Sequence, residues 1–284
     1  MVLLFLPMVV RAYGFNEFQS EANYYLSVQN KMIEDVGVSY GIIKRSLPVF
    51  SKYDGFMTSI DISYGEAAAP YYMYANDLKN MKILSDPVAL NGDSALRLGD
   101  FRLNGGVALE NNIIAFVNFG GSASSVNNHY NIGAELYYRL IDEELSFVGI
   151  CVGGGYNYSG GSFESKSGLS YIDSVTNSWT GTMSGMWNIN NANLELFIYK
   201  TYLIINFYSR ITCNYAWGNV NSSAKGTFNS FSVEQSVHSE INRTDWLLSG
   251  GMEILLGLVG VNVEAGRDWS SGSVYGNIGI RTTF

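Results

Sequence analysis

"VYGNIGIRTTF", residues 274–284, sorts its side chains by alternate positions. Val274, Gly276, Ile278, Ile280, Thr282 and Phe284 form one set, mostly apolar. Tyr275, Asn277, Gly279, Arg281 and Thr283 form the other, mostly polar. A period of two marks a strand whose two faces meet different surroundings.

The same rule recurs upstream. In "YNIGAELYYRL", Tyr130, Ile132, Ala134, Leu136, Tyr138 and Leu140 alternate with Asn131, Gly133, Glu135, Tyr137 and Arg139. In "INFYSRITCNYAW", Ile205, Phe207, Ile211, Tyr215 and Trp217 lie opposite Asn206, Arg210, Thr212 and Asn214. "NLELFIYK", "WLLSGGMEILL" and "VGVNVEAG" behave alike, as do "FMTSIDISY" and "FRLNGGVAL" less cleanly. Runs of roughly 9–11 residues are long enough to cross a bilayer as tilted strands.

A soluble sandwich alternates too. Three features favour a membrane barrel. Aromatics gather near strand ends, at Tyr130, Tyr215, Trp217, Trp246 and Trp269, as in an interfacial girdle. The polar face carries charges in mid-strand: Arg102, Glu135, Arg139, Glu195, Arg210, Glu253, Glu264 and Arg281. Short connections near 110–112, 142–144, 200–202 and 257 alternate with long polar stretches at 66–95, 121–129, 159–192, 218–243 and 268–273. Small turns at one rim and long loops at the other are the outer-membrane pattern. The expected fold is all-β: one antiparallel transmembrane β-barrel over 51–284, with about ten strands (roughly eight to fourteen). Stretches inside 159–192 and 218–243 read either as loop or as strands that extend above the membrane, and segment 172–188 reads either as loop or as two further strands.

Composition agrees. Charged residues are 15% and Pro only 4, while Gly is 31 and Tyr 20, which suits strands and tight turns. The net charge of −8 supplies no basic surface for nucleic acid. At the N-terminus, the apolar run Val2–Val10 followed by Ala12 and Gly14 reads as a signal peptide, 1–14, though no basic residue precedes the run. Residues 15–50 form an N-terminal segment in which "EANYYLSVQNKMIEDV" suits a short helical plug, and "VGVSYGII" suits either a first strand or part of that plug. Residues 70–84 suit a helix in the first long loop.

The final strand resembles the last strand of bacterial outer-membrane proteins, which ends on an aromatic. That resemblance implies recognition by the barrel-assembly machinery, with Phe284 as assembly signal. A narrower resemblance covers roughly 97–284. "IGAELYYRLIDEELSFVGICVGGGYNYSGGSF", "LELFIYKTYLIINFYSRITCNYAWG" and "GGMEILLGLVGVNVEAG" look like a little-characterised family of outer-membrane barrels found in spirochaetes and Bacteroidota. That family is similar in outline to fatty-acid-transporter-like barrels. It implies location and architecture, and no ligand residues carry over.

Chemical motifs are sparse. His129 and His238 are the 2 histidines, both at expected strand or loop tips. Ser122, Ser124 and Ser125 share a loop with His129, but a surface histidine needs no special role, and no G-x-S-x-G elbow exists. No enzyme activity is expected. "GGGYNYSGG" (153–161) precedes no helix pattern, so it reads as a flexible strand end rather than a phosphate loop. No zinc or EF-hand spacing appears, and neither metal nor cofactor is expected. Cys151 and Cys213 fall on strands two apart, about 9.6 Å at ~4.8 Å per strand, beyond the ~7 Å reach of a disulfide. Free thiols are expected. The mid-strand charges are the candidate lumen-lining groups, either packing the interior or setting the selectivity of a passage. The expected function is a passive channel or transporter for small solutes, hydrophobic ones included. The alternative is a structural or adhesive barrel acting through 159–192 and 218–243. The expected partners are outer-membrane lipid, the assembly machinery and a small solute.

Overall fold

The structure, a computed structural model, describes residues 6–41, 55–67, 96–109, 112–123, 127–172 and 176–284. Ten strands follow one helix, α1 (Leu6–Gly41). They are β1 (Phe56–Ala67), β2 (Leu96–Leu109), β3 (Ile113–Ala123), β4 (Asn127–Ile141) and β5 (Gly149–Ile172). The rest are β6 (Thr176–Tyr202), β7 (Ile205–Phe228), β8 (Phe231–Leu256), β9 (Val259–Asp268) and β10 (Val274–Thr283). Each pairs antiparallel with its sequence neighbours, and β1 pairs with β10 to close the cylinder. The seam sets Ile60 against Ile280 and Ile62 against Ile278. Phe284 donates its N–H to Phe56 O at 2.9 Å and accepts from Phe56 N–H at 3.3 Å, so the last residue finishes the ladder. Within the lower barrel closure leaves no sheet edge, which hydrocarbon would not tolerate; β5 beyond Phe163 and β8 before Leu247 are paired on one side only. No described helix is long and apolar enough to span a membrane.

The outward face of the lower barrel is apolar: Ile60, Leu136, Phe207, Ile211, Leu248, Val261 and Ile278 are exposed. On β8 this face runs from Leu256 to Trp246. At about 3.4 Å per residue and ~45° tilt that is roughly 24 Å, the height of an outer-membrane apolar band. Tyr64, Tyr130, Tyr156, Tyr215, Trp246 and Trp269 are exposed at its upper edge, next to the longer connections. Tyr202, Phe147 and Phe284 are exposed at the lower edge.

Segments 159–192 and 218–243 are not loops. β5 and β6 run on above the band as one ladder, paired as far as Ile172 and Thr176, and β7 and β8 as a second, turning at Asn229–Ser230. The described part of 172–188 holds no two extra strands: Ile172 ends β5, and 176–188 is the upper part of β6 alone. Above Trp246 the polarity of the wall reverses. Thr244, Asn242, Glu240, His238 and Glu234 face out, while Ile241 and Val233 face in and are buried. The inner surface of the extension is covered by α1. Phe18, Ala22 and Leu26 pack with Met183, Ala224, Phe228 and Val233, and the Phe18 and Phe228 rings stack at 4.3 Å. Lower down, Ile33 and Val38 pack with Trp187, Ile189, Val220, Ile241 and Leu247.

The plug expected in 15–50 is therefore a helix far longer than anticipated. It begins within the stretch read as a signal peptide and continues through "VGVSYG". A Cβ at Gly37 would overlap Ile189 and Trp187, so glycine there lets the backbone lie against the wall. The helix expected at 70–84 lies outside the described residues, as does the end of the N-terminal segment, 42–50.

Candidate functional site

The lumen below α1 is built by the inward positions of the strands and is filled in layers. At the lower end an apolar layer crosses the barrel: Met57, Phe116, Tyr137, Phe197, Tyr199 and Tyr208 are all buried. Their rings meet edge to edge or tilted, Phe197 lying 5.3 Å from Tyr208 and Phe116 5.9 Å from Tyr137. Small residues make room for them. A Cβ at Gly153 would strike Tyr137, and one at Gly155 would strike Glu135. The Gly-rich stretch read as a flexible strand end is thus mid-strand in β5, paired on both sides. Alternating large and small inward residues is how a narrow barrel fills itself.

Above this lies a charged layer. Tyr137 Oη donates to Glu195 at 2.7 Å and lies 2.9 Å from Glu135. Arg210 pairs with Glu264, lies 3.7 Å from Glu195, and donates to Tyr275 Oη at 3.2 Å and Ser249 Oγ at 3.2 Å. Tyr275 in turn donates to Glu264 at 2.6 Å. A second group, level with the aromatic layer and beside Met57, joins Arg281 to Glu253, with 2.7 Å from Nη2 to Oε2. A third joins Arg102 to Asp100 at 2.6 Å, with His129 3.2 Å from the other carboxylate oxygen. Among these charged groups none exceeds 6% exposure. Buried charges persist only when paired and hydrogen-bonded, and these are.

Seven of the eight charges singled out from the sequence therefore face the lumen. Arg139 stands apart at the lower rim, bonded to Asn112 and 3.1 Å from Asp142, and is partly exposed. Tyr137, Tyr275 and Asp100 complete these groups and were not singled out, nor was Asp61, which is buried against Ser59 at 3.0 Å and Asn104. They occupy the same alternate face as the charges, which is the signal that reaches them. Cys151 and Cys213 are free thiols, on β5 and β7 with β6 between, one facing in and one out. His238 lies on the outer face of the extension, against Asn221 at 2.7 Å.

Between the charged layer and the extension, the foot of α1 is clasped. Arg243 reaches Glu34 at 3.3 Å, Asp245 at 2.9 Å, and Asp35. Asn30 donates to Val237 O at 3.0 Å, and Asn157 donates to Gly41 O at 2.8 Å. Burial raises the pKa of Glu34 and Asp35 above the ordinary carboxylate value, with the Arg243 guanidinium pulling the other way.

A closed, even-stranded antiparallel barrel with an apolar outside and aromatic girdles is a transmembrane β-barrel of the bacterial outer membrane. Neisserial surface protein A, NspA, superposes with TM-score 0.31 and 12% identity over 81% of this chain and 98% of its own. The KdgM porin gives 0.32 and 13% over 80% and 99%. Ail, the attachment invasion locus protein of Yersinia pestis, gives 0.27 and 9% over 82% and 100%. Likenesses this loose carry no argument of their own, and the assignment rests on the closed ladder and its apolar outer band. No family model and no curated protein matches the chain, so no sequence match supports a tie to the spirochaete and Bacteroidota family or to fatty-acid-transporter-like barrels.

Proposed function

We propose that this is a surface-acting outer-membrane barrel, closed to free diffusion, that works through the β5–β8 extension. The observation that carries the reading is the filling of the lumen below and beside α1. An aromatic layer, a paired charged layer and α1 succeed one another along the axis. The extension has a hydrophilic outside, with Lys225, Glu234, His238, Glu240 and Asn242 exposed, and offers this to the exterior. Signal cleavage after Gly14 and assembly through Phe284 belong to the same proposal. A mature barrel whose intact mass starts at Phe15, and slowed assembly of Phe284→Ser, are their readouts.

Planar-bilayer recording tests the closed lumen. The full-length barrel is expected to insert without conductance steps. Steady ohmic openings at low voltage would overturn the closed reading and favour the second one, a passage for small solutes. That second reading has one observation behind it. Asn118 and Asn262 bury both side-chain polar atoms without a protein partner among the described residues, so the lumen around them suits water. Removing residues 15–41 would then raise conductance, whereas in the closed reading the aromatic and charged layers keep the barrel silent.

A further inference from the structure

We propose that Ser122, His129 and Asp100 form an acyl-transfer site at the outer mouth of the lumen, with Ser122 as nucleophile toward short carboxylic esters. The three come from the inward faces of β3, β4 and β2. Ser122 pairs with His129 across the β3–β4 ladder. Asp100 sits one step beyond the Phe101–Gly121 pair of β2 and β3. Ser122 Oγ is 2.9 Å from His129 Nδ1, and His129 Nε2 is 3.2 Å from Asp100 Oδ1. Asp100 is itself held in place. Arg102 Nε donates to its Oδ2 at 2.6 Å, and Asn131 Nδ2 lies 3.3 Å and 3.4 Å from its two oxygens.

The order of acceptors decides the tautomer. An ionised carboxylate only accepts, so the ring proton sits on Nε2 and points at Asp100. In the neutral imidazole Nδ1 is then left with a lone pair, and the hydrogen bond at 2.9 Å is one that Ser122 donates. A hydroxyl aimed at a basic nitrogen, with that ring oriented by a fixed carboxylate, is the arrangement that activates serine. Burial follows the same division of labour. His129 and Asp100 are buried, while Ser122 is only partly so. A partly exposed hydroxyl needs no histidine to satisfy it, since water would do.

Access favours an ester arriving from outside. β2, β3 and β4 stop near the girdle, at the level of Tyr130, and α1 packs against the opposite wall of β5 to β8. In the step, Ser122 Oγ attacks the ester carbonyl as its proton passes to His129 Nδ1. That proton then goes to the departing alkoxide, leaving an acyl-serine and an alcohol. Water attacks the acyl carbon, gives a proton to His129, and the carboxylic acid leaves as Ser122 recovers its own.

The test is labelling of the full-length barrel, folded in detergent and checked by heat-modifiable migration, with a fluorophosphonate probe. Ser122 Oγ would displace fluoride at phosphorus, with its proton again taken by His129. One adduct per chain is expected, mapped to the peptide holding Ser122 and absent from Ser122→Ala. His129→Gln, of similar size and polarity, should slow labelling by about 100-fold. Hydrolysis of p-nitrophenyl acetate should fall in step with labelling. A folded wild-type barrel without an adduct on Ser122, or His129→Gln labelled at the wild-type rate, would overturn the proposal.

Discussion

Arg210→Met is expected to destabilise the folded barrel by about 3–5 kcal/mol, the cost of stranding a buried charge partner. Arg210 is 1% exposed, and its guanidinium meets Glu264, Glu195, Tyr275 and Ser249. Without it, two buried carboxylates face each other across the lumen with no cation between them. Methionine fills the volume but cannot answer the charge. Adding Glu264→Gln to the same chain removes one of the stranded anions and should recover much of the loss. Urea titration of barrels refolded into vesicles measures both. A single variant within about 1 kcal/mol of wild type would mean the layer is solvated, as surface pairs are, and the lumen open.

Trp187→Ala should release α1 from the wall. Its indole is 2% exposed, packs in the cluster that receives Ile33 and Val38, and donates Nε1–H to Ser159 Oγ at 3.2 Å. Truncating a buried Trp costs about 3–5 kcal/mol. Here the barrel ladder remains intact, so the loss falls on the docking of the helix. A loss of about 3 kcal/mol raises the population of the undocked helix by roughly 100-fold where opening is local. Trypsin cleavage after Lys31 should accelerate in proportion. Met186→Ala next door, on the outer face and 53% exposed, is the control and should leave the rate unchanged. Equal cleavage in the two variants would show that α1 does not rest on this cluster.

The membrane part of the fold was legible because hydrocarbon and lumen impose opposite chemistry on alternate residues. Tyr130–Leu140 and Ile205–Trp217 carry that pattern on the lumen side at Asn131, Glu135, Asn206, Arg210, Thr212 and Asn214, with Tyr137, Tyr208 and Ala216 as exceptions. The extension was legible only as one of two readings of 159–192 and 218–243, strands above the membrane or loop, although its residues alternate as well. Past Trp217 the phase is inverted, with Val220, Ala224 and Phe228 turning inward where Arg210 and Asn214 had been, so a search for apolar-out strands finds only polar loop. The inversion has a cause outside the strands themselves, namely the helix they enclose. α1 hid its length in turn, because its buried stripe passes through Asn30, Gly37 and Gly41 rather than a run of large apolar residues. His129 and Ser122 were visible as neighbours. Asp100 joins them through strand register alone, which no local pattern records.

Spin-label accessibility along β8, from residue 232 to residue 256 in lipid vesicles, tests the central claim most directly. Labels at Leu248, Met252, Ile254 and Leu256 should collide freely with oxygen and little with a water-soluble nickel complex. At Glu234, His238, Glu240 and Asn242 that preference should reverse, and at Val233, Ile241 and Leu247 both collision rates should be low. Oxygen preference continuing past Trp246 to residue 234, or no two-residue period below it, would contradict a membrane barrel whose polarity inverts at the girdle around an enclosed helix.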